Sequence, residues 1–201
     1  MSAAASPRND EASRPLPNTA ALRQELGRVR HVSRRRRMLA GILGALTVVM
    51  AAGALVATML FPVLQVFGSS MEPTLSEGDF VVCLRTSDFS RGDLAAFYYN
   101  NKVLIKRVIG LPGEQVLINE AGDVYVNGEL LQESYVQDKA LGDCDLTFPF
   151  EVPEGRLFVM GDHRATSVDS RNSVIGCVGE ENLVGRLMFT AWPPVRWALL
   201  R

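Results

Sequence analysis

The sequence predicts a mainly β domain behind a single N-terminal apolar helix, and three observations carry that expectation. Residues 38–61 hold no charged side chain, short runs rich in aliphatic and aromatic residues recur beyond residue 62, and turn sequences built on glycine separate those runs. Many short apolar runs with regular punctuation argue for a barrel-like or sandwich domain, because βαβ units would need helical stretches between the strands. A chain of 201 residues has room for one domain with its own core, together with a tail and an anchor.

The first element is a tail over residues 1–37. Its opening stretch is rich in Ser, Ala, Pro and Asn and reads as disordered. Basic residues then gather at Arg23, Arg28, Arg30 and the run 34–37, whereas Glu72, Glu77 and Asp79 come soon after the apolar segment. Positive charge on one flank predicts an N-terminus in the cytoplasm and a C-terminal domain outside. The segment 38–61 is about 24 residues, or roughly 36 Å as a helix, enough to cross a hydrocarbon core of about 30 Å with some tilt. A cleaved secretory signal would have a shorter flank and an apolar core of about 7–15 residues, so the reading is an uncleaved anchor in the lipid bilayer, ended by Pro62.

Residues 62–201 form the extracytoplasmic domain. Val63, Leu64, Val66 and Phe67 lead into it, and strand-like runs follow at 80–84, 94–99, 103–109, 115–119, 124–126, 156–160 and 183–190. Turn chemistry separates them, at Glu77-Gly78-Asp79, Arg91-Gly92-Asp93, Leu111-Pro112-Gly113, Ala121-Gly122-Asp123 and Asn127-Gly128. The stretch 132–152 is the least regular.

A formal net charge of −1 gives no basic field of the kind a nucleic-acid partner requires. The three cysteines, Cys83, Cys144 and Cys177, stand in no metal-ligand spacing, and neither metal nor cofactor is expected. Cys83 reads as core, while Cys144 and Cys177 lie in loop-like settings of a compartment where a disulfide persists, with their pairing open.

Directly beyond the span the chain reads Gly68-Ser69-Ser70-Met71-Glu72-Pro73-Thr74-Leu75, and later, from 103 to 113, Val-Leu-Ile-Lys-Arg-Val-Ile-Gly-Leu-Pro-Gly. A serine and a lysine in such settings point to a membrane-anchored Ser/Lys hydrolase, since a serine hydroxyl needs an adjacent base. Lysine serves as a base only when desolvation lowers its pKa. Strand alternation puts Lys106 on one face with Leu104 and Val108, and Arg107 on the other with Ile105 and Ile109, so an apolar face surrounds the lysine. The bland alternatives are a turn serine and a solvated strand lysine. A histidine base has two candidates: His31 lies on the cytoplasmic side of the span, and His163 reads as a loop residue.

The order of these segments resembles the bacterial type I signal peptidase (leader peptidase) family. A third segment, Gly161-Asp162-His163-Arg164-Ala165-Thr166-Ser167-Val168-Asp169-Ser170-Arg171, is similar to its Gly-Asp-Asn-Arg-Asp-Asn-Ser-x-Asp-Ser-Arg box, with departures at His163, Ala165 and Thr166. The resemblance implies a signal-peptidase-like catalytic domain with a reduced β-ribbon insertion near 132–152. It implies Ser70 rather than Ser69 as nucleophile and Lys106 as base. Ser167 would orient the lysine, Asp169 and Arg171 would form a supporting ion pair, and Asp162 would pair with Arg107. Gly68 occupies a place where some members carry an assisting serine, which leaves the Ser70 backbone N–H and a second, unassigned donor for the oxyanion.

The implied substrates are secretory preproteins whose signal peptides are cut off after a small residue. They would bind extended beside the segments before Ser70 and Lys106, with Leu64, Val66, Met71 and Ile105 lining shallow pockets or simply filling the core. The implied location is the plasma membrane of a bacterium. Two other readings stay open: a protease of the same fold that matures one dedicated precursor, and an inactive membrane-tethered module that binds peptides.

Overall fold

In a computed structural model of the chain, residues 18–196 and Leu200 are described. Helix α1 spans Thr19–Leu60. The Asn18 side chain accepts the Ala20 N–H at 3.1 Å, an N-cap that meets one of the first orphan amides of the helix. The helix therefore starts well before residue 38, within the basic part of the tail. Its physical reason is composition: Ala, Leu, Arg, Gln and Glu, all good helix formers, dominate from Thr19 to the apolar segment. Residues 1–17 lie outside the described residues. From Arg35 to Leu60 the helix is long and apolar enough to cross a membrane, and its large side chains are exposed. Within it the Thr47 hydroxyl donates to the Leu43 carbonyl at 2.9 Å, which satisfies its polar group internally, as lipid requires.

The described residues of the β domain form eleven strands in two sheets. They are β1 (Val63–Gln65), β2 (Phe80–Leu84), β3 (Leu94–Tyr99), β4 (Lys102–Gly110), β5 (Gln115–Ile118), β6 (Val124–Val126), β7 (Glu129–Leu130), β8 (Phe150–Glu151), β9 (Arg156–Met160), β10 (Val178–Gly179) and β11 (Leu183–Trp192). The larger sheet has the order β1-β2-β11-β3-β4-β9-β10 and the smaller β7-β6-β5-β8. All pairs are antiparallel.

Two-residue turns fix the registers that matter. Asn127 and Gly128 both take positive φ, 53° and 82°, as a hairpin between β6 and β7 demands. Between β3 and β4 the same service comes from Asn100 and Asn101, at φ 45° and 60°; asparagine tolerates this region better than other side chains. That turn sets Tyr99 opposite Lys102 and, along the ladder, Ala95 opposite Lys106.

Three clusters of buried side chains form the core. One gathers Val66, Met71, Leu75 and Val81 with Leu94, Ala96 and Leu187. A second joins the two sheets, through Ile109, Phe158 and Met160 from the larger and Val116, Ile118, Val124 and Val126 from the smaller. A third holds Ala95, Phe97, Val108 and Val159, with Leu104 packed against it. Cys83 is buried, and Cys144 and Cys177 are free thiols, so the possible disulfide between them is not formed. Burial raises the Cys177 pKa to about 11. The stretch 132–152 is irregular except for β8.

Candidate active site

Three segments supply the candidate residues, and the larger sheet determines where they meet. Strand β4 carries Lys106 and Arg107, both buried. Strand β9 pairs with β4 so that Met160 faces Arg107; continuing that register sets Gly161, the first residue of the box, opposite Lys106. The loop after β1 brings Ser70, whose carbonyl accepts the His163 N–H at 3.1 Å. A Cβ built on Gly161 would overlap both the Ser167 hydroxyl and the Ser70 carbonyl. Glycine is needed there because these two groups occupy the space a Cβ would take.

Lys106 Nζ donates to Ser167 Oγ at 2.8 Å, and Ser167 Oγ in turn donates to Asp169 Oδ2 at 2.7 Å. Asp169 also accepts the Gly161 N–H at 2.9 Å and two arms of Arg171, Nε at 2.8 Å and Nη2 at 2.9 Å. Burial opposes ionisation of Asp169, yet the hydrogen bonds and charge of Arg171, with Gly161 N–H and Ser167, hold its pKa below the ordinary value. Arg171 Nη1 reaches the Leu141 carbonyl at 2.7 Å. Ser170 closes the loop onto β9, accepting the Val159 N–H at 2.9 Å and donating to the Gly176 carbonyl at 2.8 Å.

Burial lowers the Lys106 pKa from 10.5 to about 8; Asp169 and Asp162 pull it up, and Arg171 pushes it down. Desolvation wins because Lys106 is only 3% exposed, and the side chain that meets its nitrogen is a neutral hydroxyl. The apolar neighbours expected from strand alternation, Leu104 and Val108, belong to the same core cluster. Among the described residues, no hydrogen bond joins Ser70 Oγ to Lys106 Nζ, and the Ser70 N–H donates to no acceptor.

Arg107 grips Asp162 through Nε at 2.8 Å and Nη2 at 2.6 Å, and its Nη1 donates to the Gly92 carbonyl at 2.8 Å. Around this pair stand residues that the sequence did not single out. The Thr74 hydroxyl donates to Asp162 at 2.5 Å, the Tyr135 ring lies 3.9 Å from the Arg107 guanidinium carbon, and Tyr135 donates to Glu133 at 3.0 Å. Glu133 forms a fully buried ion pair with Arg164, whose Nε holds the Gly161 carbonyl at 3.1 Å. Burial raises the Tyr135 pKa above its ordinary value, with help from Glu133.

Beside Ser70 lies an apolar cleft of about 720 Å³ between β1 and the first half of β4, lined by Leu64, Phe67, Val103 and Ile105 among others. Strands β1 and β4 are separated in the sheet order by β2, β11 and β3, so the sheet curls to bring them together. A contiguous recess of about 40 Å³ adds Ser70, Val66 and Met71 to the lining. Leu64 and Ile105 are partly buried and line the cleft, whereas Val66 and Met71, 4% and 2% exposed, are mainly core. Among the described residues both walls have free strand edges: β1 pairs only with β2, and β4 pairs with β9 only from Arg107 onward.

A β domain with this loop arrangement behind an apolar helix invites comparison with known proteins. Residues 38–192 match the family described as signal peptidase, peptidase S26, which makes the chain a peptidase. A signal peptidase I of Bacillus licheniformis is 33% identical over 165 residues, covering 74% of this chain and 86% of that protein. The signal peptidase I P of Bacillus subtilis subsp. natto is 39% identical over 144 residues, covering 65% and 77%. A crystal structure of a signal peptidase I from Enterococcus faecalis V583 covers 50% of this chain and 97% of its own, at 35% identity and a TM-score of 0.41.

The chain belongs to the signal peptidase I family. Its family activity is removal of signal peptides, its substrates are preproteins that carry them, and the apolar helix fits a membrane-anchored enzyme.

Proposed function

We propose that this enzyme cuts signal peptides from translocated preproteins with Ser70 as nucleophile and neutral Lys106 as general base, at the outer face of a bacterial plasma membrane. The observation that carries the reading is a lysine desolvated to a pKa of about 8, held by Ser167 beside the loop that bears Ser70. An amine with that pKa is neutral in a useful fraction of molecules near pH 8 and keeps a lone pair for the serine proton.

The steps follow from these groups. Ser70 Oγ attacks the carbonyl carbon of the scissile bond while its proton passes to Lys106 Nζ. The tetrahedral oxyanion is stabilised by the Ser70 N–H, which has no other acceptor. The C–N bond then breaks as the Lys106 ammonium protonates the leaving amine, giving an acyl-enzyme and a free mature N-terminus. Lys106 next takes a proton from water, whose oxygen attacks the ester, and returns it to Ser70. Ser167, with its own proton committed to Asp169, offers Lys106 an acceptor and holds the amine in place. Serine–base contacts in unliganded enzymes are commonly long and tighten with substrate.

An extended signal-peptide end fits the cleft as an added strand between the free edges of β1 and β4. Small side chains suit it near the cut because the recess that Ser70 itself lines holds only about 40 Å³. The Arg-rich flank before the apolar helix supports a cytoplasmic N-terminus and an external catalytic domain.

The test is processing of a model preprotein by the full-length protein in detergent. Ser70→Ala, Lys106→Ala and Lys106→Arg should each lower the rate by at least about 10³-fold while the protein stays folded, since arginine cannot give up its proton. Near-normal cleavage by any of the three would overturn the assignment. Cleavage of one precursor alone, out of several preproteins, would favour an enzyme dedicated to that precursor.

A further inference from the structure

Two cavities of different character lie near Ser70. One is the apolar cleft. The other cavity, of about 410 Å³, begins with Glu72 and is lined by polar residues including Gln137, Asp138 and His163. The two share no lining residue. His163, which lines this cavity, also holds the Ser70 carbonyl through its N–H, so the polar cavity lies next to the loop that bears the nucleophile. A substrate extended along the cleft and crossing Ser70 would run into this cavity next.

The departures of the box from the family pattern collect here. His163 and Ala165 line the cavity, and Thr166 Oγ1 lies 2.8 Å from His163 Nδ1. Ala165 stands where the pattern has an aspartate, which removes both volume and charge from the wall. What charge remains is uneven. Asp162 is matched by Arg107, and Arg164 by Glu133. Among the described residues, neither Glu72 nor Asp138 forms an ion pair.

We infer that the polar cavity receives the first residues on the carboxyl side of the scissile bond, and that Glu72 and Asp138 favour a cationic side chain there. This rests on Ser70 being the nucleophile. Both carboxylates are reached by water, so each pairing contributes about two- to fivefold in kcat/KM and is screened by salt.

The experiment uses full-length protein and a series of preproteins identical up to the cut, with Lys, Gln or Glu at each of the next three positions. At one position or more, kcat/KM should fall in the order Lys, Gln, Glu, with about fivefold between the extremes. The order should flatten in Glu72→Gln/Asp138→Asn, and also in wild-type enzyme as salt is raised, a readout that does not depend on the variant folding. Equal cleavage across the series, or an order that survives both the variant and high salt, overturns the inference and leaves Ser70 and Lys106 untouched. A series that wild-type enzyme does not cut at all overturns both readings.

Discussion

Lys106 and Arg107 are neighbours on β4, are 3% and 1% exposed, and have opposite fates. Arg107 meets a carboxylate through two hydrogen bonds, a carbonyl and an aromatic face. Lys106 meets one hydroxyl, with the nearest carboxylate engaged by Arg171 behind it. Burial strips water from both cations. The guanidinium cannot shed its proton, so the fold must provide a counter-charge; the amine can, so the fold need only leave it dry. One strand thus builds a permanent charge and a switchable one side by side.

The largest effect should come from breaking the paired side. Asp162→Ala strands Arg107 in the interior and should cost about 3–5 kcal/mol of stability, read as a lower urea midpoint with an unchanged slope. A loss below about 1 kcal/mol would mean that Arg107 recovers water easily and that the contrast with Lys106 is false.

The unpaired side predicts the reverse sign. With its folded pKa near 8 and its unfolded value near 10.5, Lys106 binds fewer protons in the folded state between those values, so stability rises with pH across that window. The cost of burying it, about 3 kcal/mol at pH 7, should fade as pH climbs through 8 toward 10.5. Lys106→Met removes that cost. The variant should therefore be the more stable protein at pH 7, with the gap closing by about pH 10. A gap independent of pH would show that the lysine is not desolvated.

The smallest effect sharpens the cause of that desolvation. The proposed mechanism needs neutral Lys106, so kcat/KM should rise with pH through an acidic limb centred near 8. Val108→Thr puts a hydroxyl into the fully buried site of Val108 and should move the limb upward by about half a unit. A limb that stays in place, in a folded variant, would assign the drying of Lys106 to the box loop instead.

Much of this arrangement was legible in the sequence. Strands β2, β3, β6 and β9 fall on the runs 80–84, 94–99, 124–126 and 156–160, because alternation bounded by turn residues is a local signal. Strands β7, β8 and β10, two residues each, are too short for any periodicity. The helix start was hidden because the stretch after Asn18 is rich in arginine and carries no apolar periodicity, so its charge dominates its helix propensity. Ser70, Lys106 and the box residues were readable through motif order and resemblance. Glu133, Tyr135 and Thr74 were not, because each acts on a partner far along the chain: Glu133 meets Arg164, and Thr74 meets Asp162. Such polar pairs leave no spacing pattern, and Glu133 and Tyr135 sit in the least regular stretch, 132–152.

The Asn100-Asn101 turn gives loop length a chemical meaning. Lys106 and Arg107 are told apart only by counting from that turn along β4. If one residue were added and the two-residue turn kept, Lys106 would slide into the place of Arg107, where Asp162 would restore its charge. If one were removed, an arginine would enter the dry position and the proposed base would be lost. A change of two keeps the face but displaces the amine by about 6.6 Å, beyond reach of the Ser167 hydroxyl. Because a one-residue shift carries every side chain of β4 to the opposite face, an insertion library across the surface loops should find this turn intolerant in stability screens and in processing screens alike.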